Sequence, residues 1–162
     1  MRLGLIADTH GHLDDAALAA LVGSDRILHA GDVGEGVLGR LAELAPVTAV
    51  RGNNDSRGAA ARLPERAAIL AEGMRIALVH RLEDAPATGW DILVYGHCHR
   101  QHADREGSKL LLNPGAAGRR GFHVRRSVAT LELGGGEIRW SFADLGPRAL
   151  APSRTEVAVA PR

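Results

Sequence analysis

The chain has 162 residues, enough for one domain with a sizeable core. Its formal net charge of +1 gives no general attraction to nucleic acid or anionic membrane, and 3% aromatic residues make a poor stacking platform for single strands. Cys98 is the only cysteine, which excludes an intramolecular disulfide and a multi-cysteine zinc site.

In chain order, "MRLGLIADTH" opens with an apolar run too short for a signal peptide, and no later segment approaches a membrane span. A cytoplasmic location is expected. Short apolar runs then recur: "LGLIA" (3–7), "RILHA" (26–30), "VTAV" (47–50), "RIALVH" (75–80), "DILVY" (91–95) and "KLLLN" (109–113). Their length and continuous apolarity predict strands buried on both faces. Helical periodicity separates the first three. "LDDAALAALV" follows this period, and "GVLGRLAELA" places Val37, Leu38, Leu41 and Leu44 on one face. Strand, helix, strand, helix, strand predicts parallel right-handed crossovers. The back half is expected to be mainly β. "DREGSK" (104–109) reads as a hairpin turn, and "VATLEL" and "EIRWSF" as a second hairpin joined by "GGGE". In "EIRWSF", Ile138, Trp140 and Phe142 alternate with Glu137, Arg139 and Ser141, giving one buried and one wet face. Residues 1–145 are expected to form the domain. Residues 146–162, with three prolines, read as a loosely ordered tail holding one short strand at "EVAVA".

Polar residues cluster where these strands end. The first runs into Asp8-Thr9-His10, the second into Gly31-Asp32, and the third into Gly52-Asn53-Asn54-Asp55. The fourth ends in His80 and the fifth in Gly96-His97-Cys98-His99. In an open parallel sheet the strand C-termini share one edge, where ligands bind. Each motif alone has an ordinary reading: a helix cap for Asp32, turn chemistry for Asn53-Asn54-Asp55, a strand-end histidine for His80. Five strands delivering Asp, His or Asn to one edge point jointly to a shared metal site. Asp, Asn and His without thiolate suit Mn, Fe, Co, Ni or Zn, whereas a calcium or magnesium site has no need of four histidines. Seven ligands with one bridging carboxylate suit two ions about 3.5–4 Å apart. If the backbone is extended, His97 and His99 face the site and Cys98 faces away as a small buried filler, as Thr9 does between Asp8 and His10.

Asp-x-His, Gly-Asp, Gly-Asn-x-Asp, His and Gly-His-x-His, in that order, resemble the calcineurin-like metallophosphoesterase superfamily. The compact length and the "NPG" at 113–115 are similar to its small bacterial and archaeal phosphodiesterase branch, the YfcE-like proteins. The resemblance covers about residues 1–142 and implies an α/β fold, a four-layer αββα sandwich with a mixed β-sheet pair. By motif, it implies one metal on Asp8, His10, Asp32 and His99. A second would sit on Asp32, Asn53, His80 and His97, with Asp32 bridging and manganese favoured. Three positions depart from the family pattern. Arg81 follows His80 where Gly is usual, Asn54 stands where many phosphatases carry an acid histidine, and Ala116 follows "NPG" where Ser is common.

The expected chemistry is hydrolysis of a small phosphate ester, chiefly a diester, by a hydroxide bridging two cations. Asn53 would help offset charge on the phosphate oxygens. Arg51, Arg57 and Arg81 lie near the motifs and leave monoesters open. His12 is a candidate acid for the leaving group, with a solvated loop histidine as the ordinary reading. His29 reads as a hydrogen-bonded core histidine, His102 and His123 as surface residues, and Arg119-Arg120 and Arg125-Arg126 as a solvated face. Nucleic acid is expected only as a small nucleotide, no membrane partner is expected, and a homo-oligomer is compatible with the sequence. The rival reading is a protein-binding scaffold on the same fold, as in the retromer scaffold subunit.

Overall fold

The apolar runs become strands in the computed structural model, which describes residues 1–147 and the backbone of 155–159. Strands β1 (Arg2–Ile6), β2 (Arg26–His29) and β3 (Val47–Ala49) pair in parallel. Helices α1 (Asp15–Leu21) and α2 (Val37–Ala42) occupy the crossovers between them. After them come β4 (Arg66–Ala71), β5 (Met74–Val79), β6 (Ile92–Val94), β7 (Gln101–Glu106), β8 (Lys109–Pro114), β9 (Arg125–Gly134), β10 (Glu137–Pro147) and β11 (Thr155–Val159).

These strands form two mixed sheets, not one open sheet. The six-stranded sheet runs β11-β10-β9-β1-β2-β3 and the five-stranded sheet runs β4-β5-β6-β8-β7. Alternation along each strand sorts side chains between two cores. Leu3, Leu5 and Leu28 of the first sheet face Ile76, Leu78, Ile92 and Val94 of the second, with Trp140 closing one side. Ile6 and Ile27 point the other way, onto Ala17 and Leu21 of α1 and Val37 and Leu41 of α2. Ala77, Val79, Leu93 and Tyr95 line the outer face of the second sheet, where Ala85 and Trp90 cover them. The fourth layer there is thin: a 3₁₀ turn at Leu82–Asp84 and the loop after it stand in for a helix. The sandwich is the mixed α/β architecture expected.

Local chemistry explains the element ends. The Asp14 carboxylate accepts from Ala17 N–H at 3.1 Å and caps α1, and Asp15 sits in the first turn, where negative charge complements the helix dipole. In α2 the apolar face is shorter than expected. The helix stops at Ala42, so Leu44 lies beyond it and is exposed. Strand β4 was not anticipated; it is an Ala-rich edge strand whose residues alternate between exposed and half-buried until Ala71, which is buried. The hairpins at 104–109 and 134–137 form as expected, and Ile138, Trp140 and Phe142 pack inward. Strand β10 runs through the expected boundary at 145/146, and β11, which overlaps "EVAVA" at 156–159, pairs with it. The rest of the tail lies outside the described residues. Among the described residues no helix is long and apolar enough to cross a membrane.

Candidate metal centre

Both sheets end at one rim. There β1 delivers Asp8 and His10, β2 delivers Asp32, and β3 delivers Asn53, while across the sandwich β5 delivers His80 and β6 delivers His97 and His99. The chain reaches these positions through an unusual backbone. Among the described residues six non-glycine residues hold positive φ, and five are Asp8 (53°), His10 (47°), Asp32 (53°), His97 (70°) and His99 (56°). Each left-handed residue costs on the order of 1–2 kcal/mol and persists only where its surroundings fix it. Main-chain bonds do so here: Asp8 N–H to Gly31 O at 3.0 Å and His10 N–H to Asp32 O at 2.9 Å. Asp8 Oδ2 accepts from His97 N–H at 3.0 Å and so ties the two sheets together.

That backbone corrects the expectation for Cys98. Extended alternation does not hold where His97 and His99 are left-handed, and Cys98 is exposed on the cleft instead of buried behind it.

The side chains converge in two groups that could each hold a cation. Asp8, His10 and His99 form one, and Asp8, Asp32 and His80 the other, with the ligand atoms of each group within 4.8 Å of one another. In the first, His99 Nε2 lies 3.3 Å from Asp8 Oδ1 and 3.5 Å from His10 Nε2. In the second, His80 Nε2 lies 3.5 Å from Asp32 Oδ2 and 3.0 Å from Asn53 Oδ1. Asp32 Oδ2 is also 3.8 Å from His10 Nε2, so this one oxygen faces both groups. With metal–ligand bonds of about 2.0–2.2 Å, neighbouring ligand atoms sit about 3.0–3.5 Å apart, close to what is observed. His97 meets His80 edge-on, with ring centroids 5.1 Å apart.

The unpaired atoms fit a cation. Asp8 is fully buried, yet its Oδ1 has no hydrogen-bond partner. A carboxylate oxygen in that state is costly, and a positive ion beside it removes the cost. His80 Nδ1 lies 2.8 Å from the Ala30 carbonyl, which fixes a hydrogen on Nδ1 and turns Nε2 toward Asn53 Oδ1 and Asp32 Oδ2, both acceptors. Burial opposes charge on His80, but Asp32 and the Ala30 carbonyl outweigh it and raise its pKa. A proton on Nε2 thus stands where a cation would. Burial also pushes the Asp32 carboxyl up, but bonds from His80 and Asn54 hold it well below the usual carboxylate range. For His10 burial dominates and lowers the pKa against the pull of Asp32 and Asp8.

Neighbouring residues hold these ligands in place. Asn54 donates to both Asp32 oxygens, from its backbone N–H at 2.8 Å and from its amide at 2.6 Å. The buried Asp55 carboxylate accepts from Val33, Gly34 and Gly52 N–H at 2.9–3.0 Å and locks the exit of β2 to that of β3. Gly52 has to be small, because a Cβ there would overlap Asp32. Asn113 of the "NPG" turn donates to Gly96 O at 2.8 Å and to Cys98 Sγ at 3.2 Å, buttressing the His97 segment. Asp55 was legible as the last letter of its motif, though as turn chemistry and not as a lock.

Other histidines and arginines sort plainly. His12 is half-buried, with its Nε2 3.7 Å from Asp14 Oδ2. His29 is fully buried against Thr9 Oγ1 at 2.8 Å, and burial pushes its pKa down to about 4. His102 is exposed and bonds the Tyr95 hydroxyl at 2.7 Å. His123 is not a free surface residue: half-buried, it contacts His99. Arg126 is buried and pairs with Asp14, and Arg125 pairs with Asp144. Arg120, by contrast, lines a cleft of about 490 Å³ beside His10, Asp32, Asn53 and His99, and its charge helps lower the His10 pKa. Arg51 pairs with Glu65, while Arg81 opens on a neighbouring cleft beside Asn53 and His80.

Known proteins agree with this picture. A model of the calcineurin-like phosphoesterase superfamily domain matches residues 1–136. A probable metallophosphoesterase of Methanothermobacter thermautotrophicus is 32% identical over 72% of this chain and 77% of its own. Two solved structures share the fold. Vps29 of Entamoeba histolytica, complexed with zinc, superposes with TM-score 0.80 at 22% identity, covering 98% of this chain and 99% of its own. An archaeal phosphodiesterase superposes with TM-score 0.72 at 23% identity, covering 88% and 99%. With two sheets converging on a rim of Asp, Asn and His, and with the family's model matching that whole region, the chain belongs to the calcineurin-like phosphoesterase superfamily.

Proposed function

We propose that this chain is a dinuclear metal-dependent phosphodiesterase. One ion would rest on Asp8, His10, Asp32 and His99, and the second on Asp32, Asn53, His80 and His97, with Asp32 shared. The observation that carries this reading is the pair of convergent groups around Asp8 and Asp32, with the buried Asp8 Oδ1 lacking a hydrogen-bond partner. Oxygen and imidazole donors without thiolate suit borderline divalent ions such as Mn, Fe, Co, Ni or Zn, and the family resemblance favours manganese among them. When bound, two such ions supply Lewis acidity to both the attacking water and the phosphate oxygens.

The protein's own part is binding and orientation. His80 and Asn54 hold the Asp32 carboxyl low, and the Asn54 amide keeps its Oδ2 aimed between the two groups. Asn53 Oδ1 faces His80, which leaves its amide nitrogen as a donor for a phosphate oxygen. Arg120 on the cleft wall offers a cation to the same phosphate.

The test is turnover of bis(4-nitrophenyl) phosphate with manganese, before and after chelation, in the parent and in Asp32→Ala. Both parent metals and nearly all hydrolysis should disappear in Asp32→Ala, since the shared ligand is gone. Two metals per chain retained in that variant would sink the bridging assignment. Metal binding without turnover of any diester would instead favour the scaffold reading.

A further inference from the structure

The segment after β8 carries a histidine that the metal centre as described does not use. His123 Nε2 lies 3.0 Å from the Gly118 carbonyl oxygen, and its Nδ1 lies 3.0 Å from His99 Nδ1. A carbonyl oxygen only accepts, so the hydrogen on His123 belongs to Nε2. With that ring neutral, its Nδ1 is bare and accepts. The contact between the two Nδ1 atoms then requires the hydrogen of His99 to sit on its own Nδ1. His99 Nε2 is left bare, 3.3 Å from Asp8 Oδ1. The reverse arrangement would put a hydrogen on His99 Nε2, between His10 Nε2 at 3.5 Å and Asp8 Oδ1, and close that nitrogen to a cation.

The loop is shaped for this approach. The rings of His99 and His123 meet edge-on, with centroids 5.0 Å apart. Between Gly118 and His123, Gly121 adopts φ +119°, and a Cβ there would run into the His99 ring. Only glycine lets the main chain pass so close.

We infer that His123 is a positioning residue. It holds His99 in the Nδ1–H tautomer and in the ring orientation that offers Nε2 to the cation shared with Asp8 and His10. This rests on the metal-centre reading but not on the choice of phosphodiester as substrate. A ligand histidine whose other nitrogen is fixed by a hydrogen bond binds metal more tightly, and loss of that partner typically costs about 10–100-fold in affinity.

Two measurements test it without relying on turnover. Nitrogen-15 NMR of the histidine rings in the metal-free wild-type protein should show His99 protonated on Nδ1 and His123 on Nε2. The opposite pattern overturns the proposal, and no variant has to fold for that to be seen. Calorimetric titration with manganese should show one of two binding steps weakened about 10–100-fold in His123→Ala and the other unchanged. His123→Asn, whose amide oxygen can stand where Nδ1 stood, should recover most of the loss. Unchanged affinity in His123→Ala, or equal losses in the Ala and Asn variants, also overturns it. If the titrations behave as expected and no diester is hydrolysed, only the phosphodiesterase reading fails.

Discussion

Asn54 directs two hydrogen bonds at one carboxylate, and this limits what it can do for a substrate. An amide does not give up a proton near neutral pH, and here its donor is already engaged with Asp32. His12 lies beside Asp14, whose carboxylate competes for its proton. General acid assistance is typically worth about a hundredfold to ten-thousandfold. Without it, rate should fall steeply as the leaving group becomes more basic. The check is a series of aryl diesters of graded leaving-group pKa, in the parent and in His12→Ala; the same steep slope is expected in both. A shallow slope kept in His12→Ala would direct attention to Cys98, whose thiol stands on the cleft.

Helix α1 shows how one side chain serves two elements. Asp14 caps the helix through Ala17 N–H and pairs with the buried guanidinium of Arg126 in β9. Burial raises the Asp14 pKa, but the Ala17 bond and Arg126 outweigh that and lower it. Asp14→Ala should therefore destabilise the protein by about 2–4 kcal/mol, because it removes a cap worth about 1 kcal/mol and leaves a buried charge unpaired. Asp14→Asn keeps the cap and should lose less; urea denaturation of both variants measures the difference. That cap was legible, since an Asp before helical periodicity is a start signal. The Arg126 pairing was not, because no local pattern links residues 112 positions apart. The same division runs through the site. Asp8, His10, Asp32, Asn53, His80, His97 and His99 could be read because each follows an apolar run. His123, at the far side of a loop, had no strand end to mark it, and Arg120 looked like any exposed arginine pair. The Cys98 expectation failed because alternation assumes extended backbone, and φ is positive at the histidines on either side. Strand β4 was missed because "RAAILA" is as good a helix segment as a strand, and only its pairing with β5 decides.

At the scale of the whole molecule, acid should act on the metal-free fold through His29. Its folded pKa of about 4 lies below the ordinary 6.5, because burial disfavours the charged ring. Below about pH 6.5 the unfolded chain takes a proton that the folded chain refuses. Stability from this group is complete above that pH and is lost as pH falls toward about 4, by up to about 3 kcal/mol. His80 acts in the opposite sense: its raised pKa adds stability at low pH that is lost as pH rises through the folded value. The difference between the parent and His29→Gln, followed by urea denaturation in chelator between pH 7 and 4.5, isolates the His29 part. Only the parent should carry the extra acid loss.

The candidate ligands come from both sheets, while the apolar core that joins the sheets lies beneath them and contains none of them. Chemistry and cohesion are therefore drafted on separate parts of the chain, one on the rim and the other in the interior. Over evolutionary time the rim can be rewritten, or erased, by substitutions that relax left-handed residues without opening a cavity below. A descendant that lost every ligand would inherit an intact body with a vacant face, available for an unrelated task.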